Sequence, residues 1–357
     1  MKSAPSLLLV VLLACTSQAT PETLSKIGFG SCANEKRPQP IWDAVNALGP
    51  DLFILAGDNV YADSGDPAVL EESYRKFGEV PGWAKLRSSC PVVATWDDHD
   101  FGANDGGAEW EGKQAAKDAF MNFFKTPEDS PLRSRGGIHD SRVFGPEGRR
   151  VQVILLDTRW FRGPLEKLSA KEHKALKDAK GPWNGPYIES ETGDSTMLGE
   201  EQWAWLEGQL KIPAELRLIV TSIQAVTIDH GWEKWGNLPR ERRRLFELIR
   251  TTGANGVMFL SGDRHTADVS KLPASTDSGP DYPLFDITSS GLTQGGFSRE
   301  RNRYRVGTAD PFGQQNFGWI TVDWDREDPA IRMEIRDADG KVVREAATTL
   351  GELKAPI

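Results

Sequence analysis

The feature that most constrains the fold is a series of short apolar runs set between longer amphipathic stretches. Seven runs read as strands: Lys26–Gly30, Leu52–Ala56, Val92–Thr95, Val151–Leu156, Leu216–Thr221, Val257–Ser261 and Leu284–Ser289. Their length suits a strand better than a helix. Between them, Ile41–Leu48, Glu111–Phe124, Glu200–Leu210 and Arg240–Thr251 read as helices. The first has apolar residues at 41, 42, 45 and 48, and the third opens on glutamates, as the helix dipole favours. Strands spaced by helices predict an α/β fold with helix-covered sheets. The C-terminal part changes pattern. Trp319–Trp324, Ile331–Arg336 and Val342–Ala347 alternate apolar and polar residues, and Asp339-Gly340 marks a hairpin turn. These predict an antiparallel extension of a sheet. Lys171–Thr196 reads as an irregular loop, Leu165–Lys180 as a Glu/Lys-rich solvated helix face, and Ser289–Arg305 as a polar, basic loop.

The N-terminus, MKSAPSLLLVVLLAC, has one lysine before an apolar core from Leu7 to Ala14. That core is too short to span a bilayer and reads as a signal peptide over residues 1–19, with a linker at 20–25. Ser17-Gln18-Ala19 is a small-residue cleavage site, whereas Leu12–Cys15 resembles a bacterial lipobox that would lipidate Cys15 and tether the protein to a membrane. The expected location is secreted, periplasmic or in the cell envelope. Residues 26–350 read as a single domain, within the reach of a 357-residue chain with twelve tryptophans. A formal net charge of −9 lacks the basic stripe that a non-specific nucleic-acid partner requires.

Potential ligands collect just after the strands: Ser31 and Cys32; Asp58, Asn59 and Tyr61; Asp97, Asp98, His99 and Asp100, with Asn104 close behind; Asp157 and Arg159; Gln224; and Asp263, Arg264 and His265. In α/β sheets the C-terminal strand edge is where ligands bind. Carboxylates and amides suit Ca²⁺, Mg²⁺ or Mn²⁺, and Zn²⁺ fits the spacing as well. A thiolate, a phenolate and a carboxylate together suit Fe³⁺. Cations a few Å apart can clamp a phosphate and present a metal-bound hydroxide to it. His99, Arg159, Arg162 and Arg264 could neutralise the developing charge. The bland alternatives are salt bridges for Arg159 and Arg162, loop packing for Trp232 and Trp235, and a Cys32–Cys90 disulfide, which would forbid ligation by Cys32. There is no G-x-S-x-G nucleophile elbow.

FGSC (Phe29–Cys32), GDNVY (Gly57–Tyr61), WDDHD with Asn104, LDTRWFR (Leu156–Arg162), LGEEQWAWLEGQL (Leu198–Leu210), WGNLPRER (Trp235–Arg242) and LSGDRH (Leu260–His265) together resemble, in order, the motifs of PhoD-like alkaline phosphatases in the calcineurin-like metallophosphoesterase superfamily. The resemblance implies a four-layer α/β/β/α sandwich of the metallophosphoesterase type with the C-terminal hairpin extension. It implies Fe³⁺ held by Cys32, Asp58, Tyr61 and Asp263, and Ca²⁺ held by Asp97 or Asp98, Asn104, Gln224 and His265. It implies hydrolysis of small phosphate mono- or diesters. Phospholipid headgroups, or a catalytically silent metal-stabilised envelope protein, are the alternatives. His139 stands in GGIHDSRVFG where an aromatic is expected, a candidate pocket residue.

Overall fold

The computed structural model describes residues 23–356 except 180–184, 192–194 and 297–299. The expected signal peptide, Cys15 and the first half of the expected linker lie outside these residues. Twelve strands follow in chain order among the described residues: β1 (Lys26–Gly30), β2 (Leu52–Ala56), β3 (Val92–Thr95), β4 (Asp140–Phe144), β5 (Val151–Leu155), β6 (Leu216–Val220), β7 (Val257–Ser261), β8 (Ala267–Leu272), β9 (Leu284–Ser289), β10 (Asn316–Asp323), β11 (Ala330–Asp337) and β12 (Val342–Thr349).

They form two six-stranded sheets, ordered β12-β11-β10-β1-β2-β3 and β4-β5-β6-β7-β9-β8. Strands β1, β2 and β3 are parallel, as are β5, β6, β7 and β9. Antiparallel strands flank them: β10 on β1, β4 on β5 and β8 on β9. The expected C-terminal extension is therefore β10–β12, joined to the first sheet through β1.

Alternate residues of one strand serve two cores. Leu52, Ile54 and Ala56 of β2 pack with β5, β6 and β7, while Phe53 and Leu55 pack with Trp42, Val45, Tyr74 and Phe77 of the outer helices. Side chains alternate across a strand, and a parallel strand covered on both faces has no solvent face, so the run is apolar throughout. Full burial of each large side chain here contributes about 1.5–3 kcal/mol. Beyond the second sheet, Trp203 and Leu206 of helix Gly199–Leu210, and Leu245 and Phe246 of helix Pro239–Thr251, extend the same core. The order is helix, sheet, sheet, helix.

Sequence reading missed two strands, two longer helices, and the single turns Asp98–Phe101 and Pro131–Ser134. β4 (DSRVF) is an edge strand whose residues are partly or fully exposed, and β8 starts two residues after His265, where ligand chemistry dominated the reading. Helices Pro67–Gly78 and Pro81–Ser89 are polar overall, but Leu70, Tyr74 and Phe77 recur at helical spacing and are buried. The Glu/Lys-rich stretch forms helix Ala170–Asp178 with no buried residue, a solvated face as expected.

Candidate metal centre

The C-terminal ends of the parallel strands of both sheets meet. Thr95 Oγ1 after β3 donates to Leu156 O after β5 at 2.7 Å, and Cys32 Sγ after β1 lies 3.1 Å from Ser290 Oγ after β9. At this meeting the chain turns sharply. Cys32 (φ 62°), Asp58 (50°), Asp263 (67°) and His265 (53°) are all left-handed, a conformation uncommon for non-glycine residues and concentrated at functional sites. Gly57 (φ 106°) admits the approach: a Cβ there would sit 2.7 Å from Asp97 Cβ and 3.0 Å from Ser222 Cβ.

Three overlapping donor groups result: Cys32, Asp58 and His265; Asp58, Asp98 and His99; and Asp97, Asp98 and Asp263. Within each group the ligand atoms lie within 4.8 Å of one another. Asp58 joins the first two groups and Asp98 the last two. Asp58 Oδ2 is 3.3 Å from Cys32 Sγ and accepts from Tyr61 OH at 3.3 Å; that hydroxyl is also 3.1 Å from His265 Nε2.

Each of two central carboxylates is held by one oxygen and left bare at the other. Asp97 Oδ1 accepts from Arg159 Nε (2.5 Å) and Ser222 Oγ (2.7 Å), and Asp98 Oδ2 from the Asp105 amide (2.8 Å). Asp97 Oδ2 and Asp98 Oδ1 are buried with no hydrogen-bond partner among the described residues. A buried, unpartnered carboxylate oxygen is costly unless something positive faces it. The electrostatics agree. Burial first, then the charges of Cys32, Asp98, Asp97 and Asp100, hold Asp58 well above the usual carboxylate range. Burial also pushes Asp97 up to about 7, against Arg159, and raises the Cys32 thiol to about 11, against hydrogen bonds with Ser290 and Ser31. These shifts express crowded negative charge, and a bound cation would reverse them. The residues fit metal ions.

Beside the donors opens a pocket of about 350 Å³ whose lining includes Asp98, His99, Asn104, Trp232, Arg264 and Glu300. His99 Nδ1 lies 2.6 Å from Asp63 Oδ1 and its ring stacks on Tyr61 with centroids 4.0 Å apart. Burial would lower the His99 pKa, but the Asp63 hydrogen bond and the charges of Asp98, Asp63 and Asp97 outweigh it and the net shift is upward. Arg264 pairs with Glu300 and lies 5.0 Å over the Trp232 ring.

The structure thus brings Cys32, Asp58, Tyr61, Asp97, Asp98, His99, Asp263 and His265 together, with Asn104 and Arg264 on the pocket wall. Arg159 is placed differently from the expected phosphate contact. Its fully buried guanidinium pairs with Asp97 and with Glu233 at 2.7 Å, and Arg162 pairs with the same glutamate at 3.2 Å, so the salt-bridge alternative describes both. Gln224 is bonded at both amide atoms, its Nε2 donating to Thr288 Oγ1 (2.9 Å) and its Oε1 facing His230 Nε2 (2.8 Å). Cys32 and Cys90 are both free. His139 is buried against Trp205, with ring centroids 4.6 Å apart, rather than lining this pocket. Trp235 is core, as the packing alternative held, whereas Trp232 faces the pocket. Asp63 belongs to the run of oxygen donors that the sequence places after the second strand, whereas Glu233, Asp105, Ser222 and Ser290 were missed. Of these, only Asp105 carried a signal, as an acidic residue close behind the Asp98 motif.

Two facing sheets with acidic donors at their shared strand ends define a protein of the metallophosphoesterase type. The chain belongs to the PhoD-like phosphatase family, whose model matches residues 27–327. It is 24% identical over 284 residues to alkaline phosphatase D of Bacillus subtilis (strain 168), covering 70% of this chain but 45% of that protein, so it spans just under half the relative's length. The solved structure of PhoD superposes with a TM-score of 0.66 at 16% identity, covering 92% of this chain and 69% of that one. A dimetal phosphatase from Danio rerio gives 0.54 at 14% identity (92% and 100% covered), and GAP50, described as the anchor in the inner membrane complex of Plasmodium, gives 0.53 at 13% identity (94% and 90%). At these identities the structural matches establish the fold alone.

Proposed function

We propose that this chain is a metal-dependent phosphoesterase acting on small phosphate mono- or diesters. The observation that carries the reading is the chain of three donor groups sharing Asp58 and Asp98, with two bare buried oxygens on Asp97 and Asp98. Cys32, Asp58 and Tyr61 offer the thiolate, carboxylate and phenolate that suit Fe³⁺, joined by His265 or Asp263. Asp97, Asp98, Asp263 and Asn104 offer the hard oxygens that suit Ca²⁺. Bound cations would supply Lewis-acid charge and a more acidic water. Of the chain's own residues, Arg264 faces the pocket as the cation for a phosphate oxygen, and His99, its ring fixed by Asp63, is placed to hold a proton near the leaving oxygen. Arg159 and Ser222 hold Asp97 so that only its Oδ2 is presented. Export, with or without lipidation at Cys15, is the location consistent with the N-terminal sequence.

The test combines metal analysis, a visible spectrum and assays on phosphate mono- and diesters. Stoichiometric iron, with a coloured band that shifts in Tyr61→Phe or disappears in Cys32→Ser, and hydrolysis that requires added Ca²⁺, are expected. A colourless, iron-free protein after metal-replete expression would overturn the iron assignment. Metal-loaded protein that hydrolyses none of the esters would favour the silent binding protein.

A further inference from the structure

Away from the metal centre, the two sheets do not meet evenly along their sides. On one side the edge strands β8 and β12 lie against each other. On the other, the edges β3 and β4 flank a cavity of about 650 Å³. Its lining is mixed: Val93 and Ala94 of β3, Leu155 of β5, Phe120 of the helix that covers the first sheet, and Leu132 and Ile138 of the segment crossing the seam form an apolar strip, and polar residues line much of the rest.

The charge along this seam is unbalanced. Lys125, Arg135 and Arg142 line the cavity against one carboxylate, Asp140, which Arg142 already meets at 3.4 Å. Arg135 is the unusual member. No carboxylate lies within 4.0 Å of its guanidinium, and Nε and one terminal nitrogen are buried with no acceptor among the described residues. Its guanidinium lies 5.6 Å over the ring of Trp205. Other buried arginines are matched: Arg159 and Arg162 by Glu233, Arg242 by Asp277, Arg264 by Glu300, and Arg217 by three backbone carbonyls. Next to Arg135, the buried Lys117 donates to the carbonyls of Arg133 and Arg135, again with no carboxylate within 4.0 Å among the described residues. Asp140, Glu201 and Asp157 act on Arg135 only from beyond contact distance, and a guanidinium with unspent donors is stabilised most by a bidentate oxyanion.

We propose that this seam is a binding site for a single-chain amphiphile with an anionic head: the carboxylate, sulfonate or phosphate group on Arg135, the aliphatic tail along Val93, Ala94, Leu132 and Leu155. The site is separate from the catalytic pocket and does not depend on the phosphoesterase reading.

Decanesulfonate and decanoate, which carry no phosphate ester, are the probes, titrated below micelle formation into the metal-loaded full chain by calorimetry and by tryptophan fluorescence, with Trp205→Phe as the optical control. One saturable site is expected, weakened at least about tenfold in Arg135→Met, while hydrolysis by that variant stays within about twofold of the parent. Leu132→Glu, which places a like charge and a polar group in the same wall, gives the same loss and serves if Arg135→Met does not fold. Affinity unchanged in both variants would overturn the proposal. So would methanesulfonate binding as tightly as decanesulfonate, which would remove the tail from the argument. Displacement of decanesulfonate by inorganic phosphate in step with inhibition of hydrolysis would place the probe in the catalytic pocket and overturn it as well.

Discussion

The two sheets contribute to the candidate metal centre in different ways. The first supplies Cys32, Asp58, Tyr61, Asp97, Asp98 and His99 from short turns directly after β1, β2 and β3. The second supplies Asp263 and His265, and otherwise residues that hold those ligands: Arg159 and Ser222 on Asp97, Ser290 on Cys32 and the His265 amide, Glu233 behind Arg159. A ligand must be placed by a tight turn, because one residue of slip would aim it elsewhere. A holding residue only has to arrive, and a long loop can deliver it. The difference predicts that changes to the candidate ligands abolish activity, while changes to the residues that hold them chiefly cost stability or tune affinity.

The largest expected effect is on the ligand side. Asp58→Asn should lower phosphoesterase activity at least about a thousandfold, roughly 4 kcal/mol of transition-state stabilisation. Yet the metal-free variant should melt at or above the metal-free parent, because one of several crowded buried acids is gone. Chelation should lower the melting temperature of the parent and leave that of Asp58→Asn unmoved, since a cation that binds only the folded state stabilises it by mass action. A metal-free Asp58→Asn that melts well below the metal-free parent would mean Asp58 is structural.

On the holding side, Arg159→Met leaves Asp97 and Glu233 buried without their cation and should cost about 3–5 kcal/mol in urea denaturation. Arg159→Met with Glu233→Gln should recover part of that loss. A cost below about 1 kcal/mol would remove the distinction between the candidate ligands and the residues that hold them. Glu300→Gln tests the pocket wall. Glu300 occupies the guanidinium assigned to phosphate, so its neutralisation should lower KM about three- to tenfold with little change in kcat. A raised KM would show that Glu300 positions Arg264 rather than competing for it.

A further effect lies away from the candidate metal centre, in the pH dependence of stability. Burial, then the charges of Arg135 and Lys117, push the His139 pKa down to about 3. Between about pH 6.5 and 3 the unfolded chain binds a proton at this position that the folded chain does not, so stability falls as pH falls through that window. His139→Phe should flatten this part of the pH dependence by up to about 1.4 kcal/mol per pH unit. An unchanged slope would mean that His139 is protonated in the folded protein.

The same contrast sets what was legible in the sequence. LFILA is apolar at every position and VMFLS at every position but its last, because both faces of β2 and β7 are covered, and so they were readable as strands. β4 and β8 sit at or near sheet edges, where DSRVF carries no such constraint. Asp58, Asp97, Asp98 and Asp263 stand within three residues of a strand end, and sequence proximity to the strand located them. Glu233 is far from any strand in sequence and reaches Arg159 only through folding of the segment after β6, so spacing held no trace of it. Arg159 was found with both a phosphate contact and a salt bridge open to it, since an arginine after a strand looks the same whether it meets a phosphate or a buried aspartate.

Consider again the four left-handed residues, Cys32, Asp58, Asp263 and His265. Sheets and helices can form from apolar burial alone, with nothing required at the upper edge. The edge itself has left-handed backbone and crowded acids, which a bound cation would stabilise. The scaffold is therefore able to assemble first and the ligand turns to lock last, and the arrival of the ion would be registered as a drop in proteolysis at those turns rather than as a gain in secondary structure.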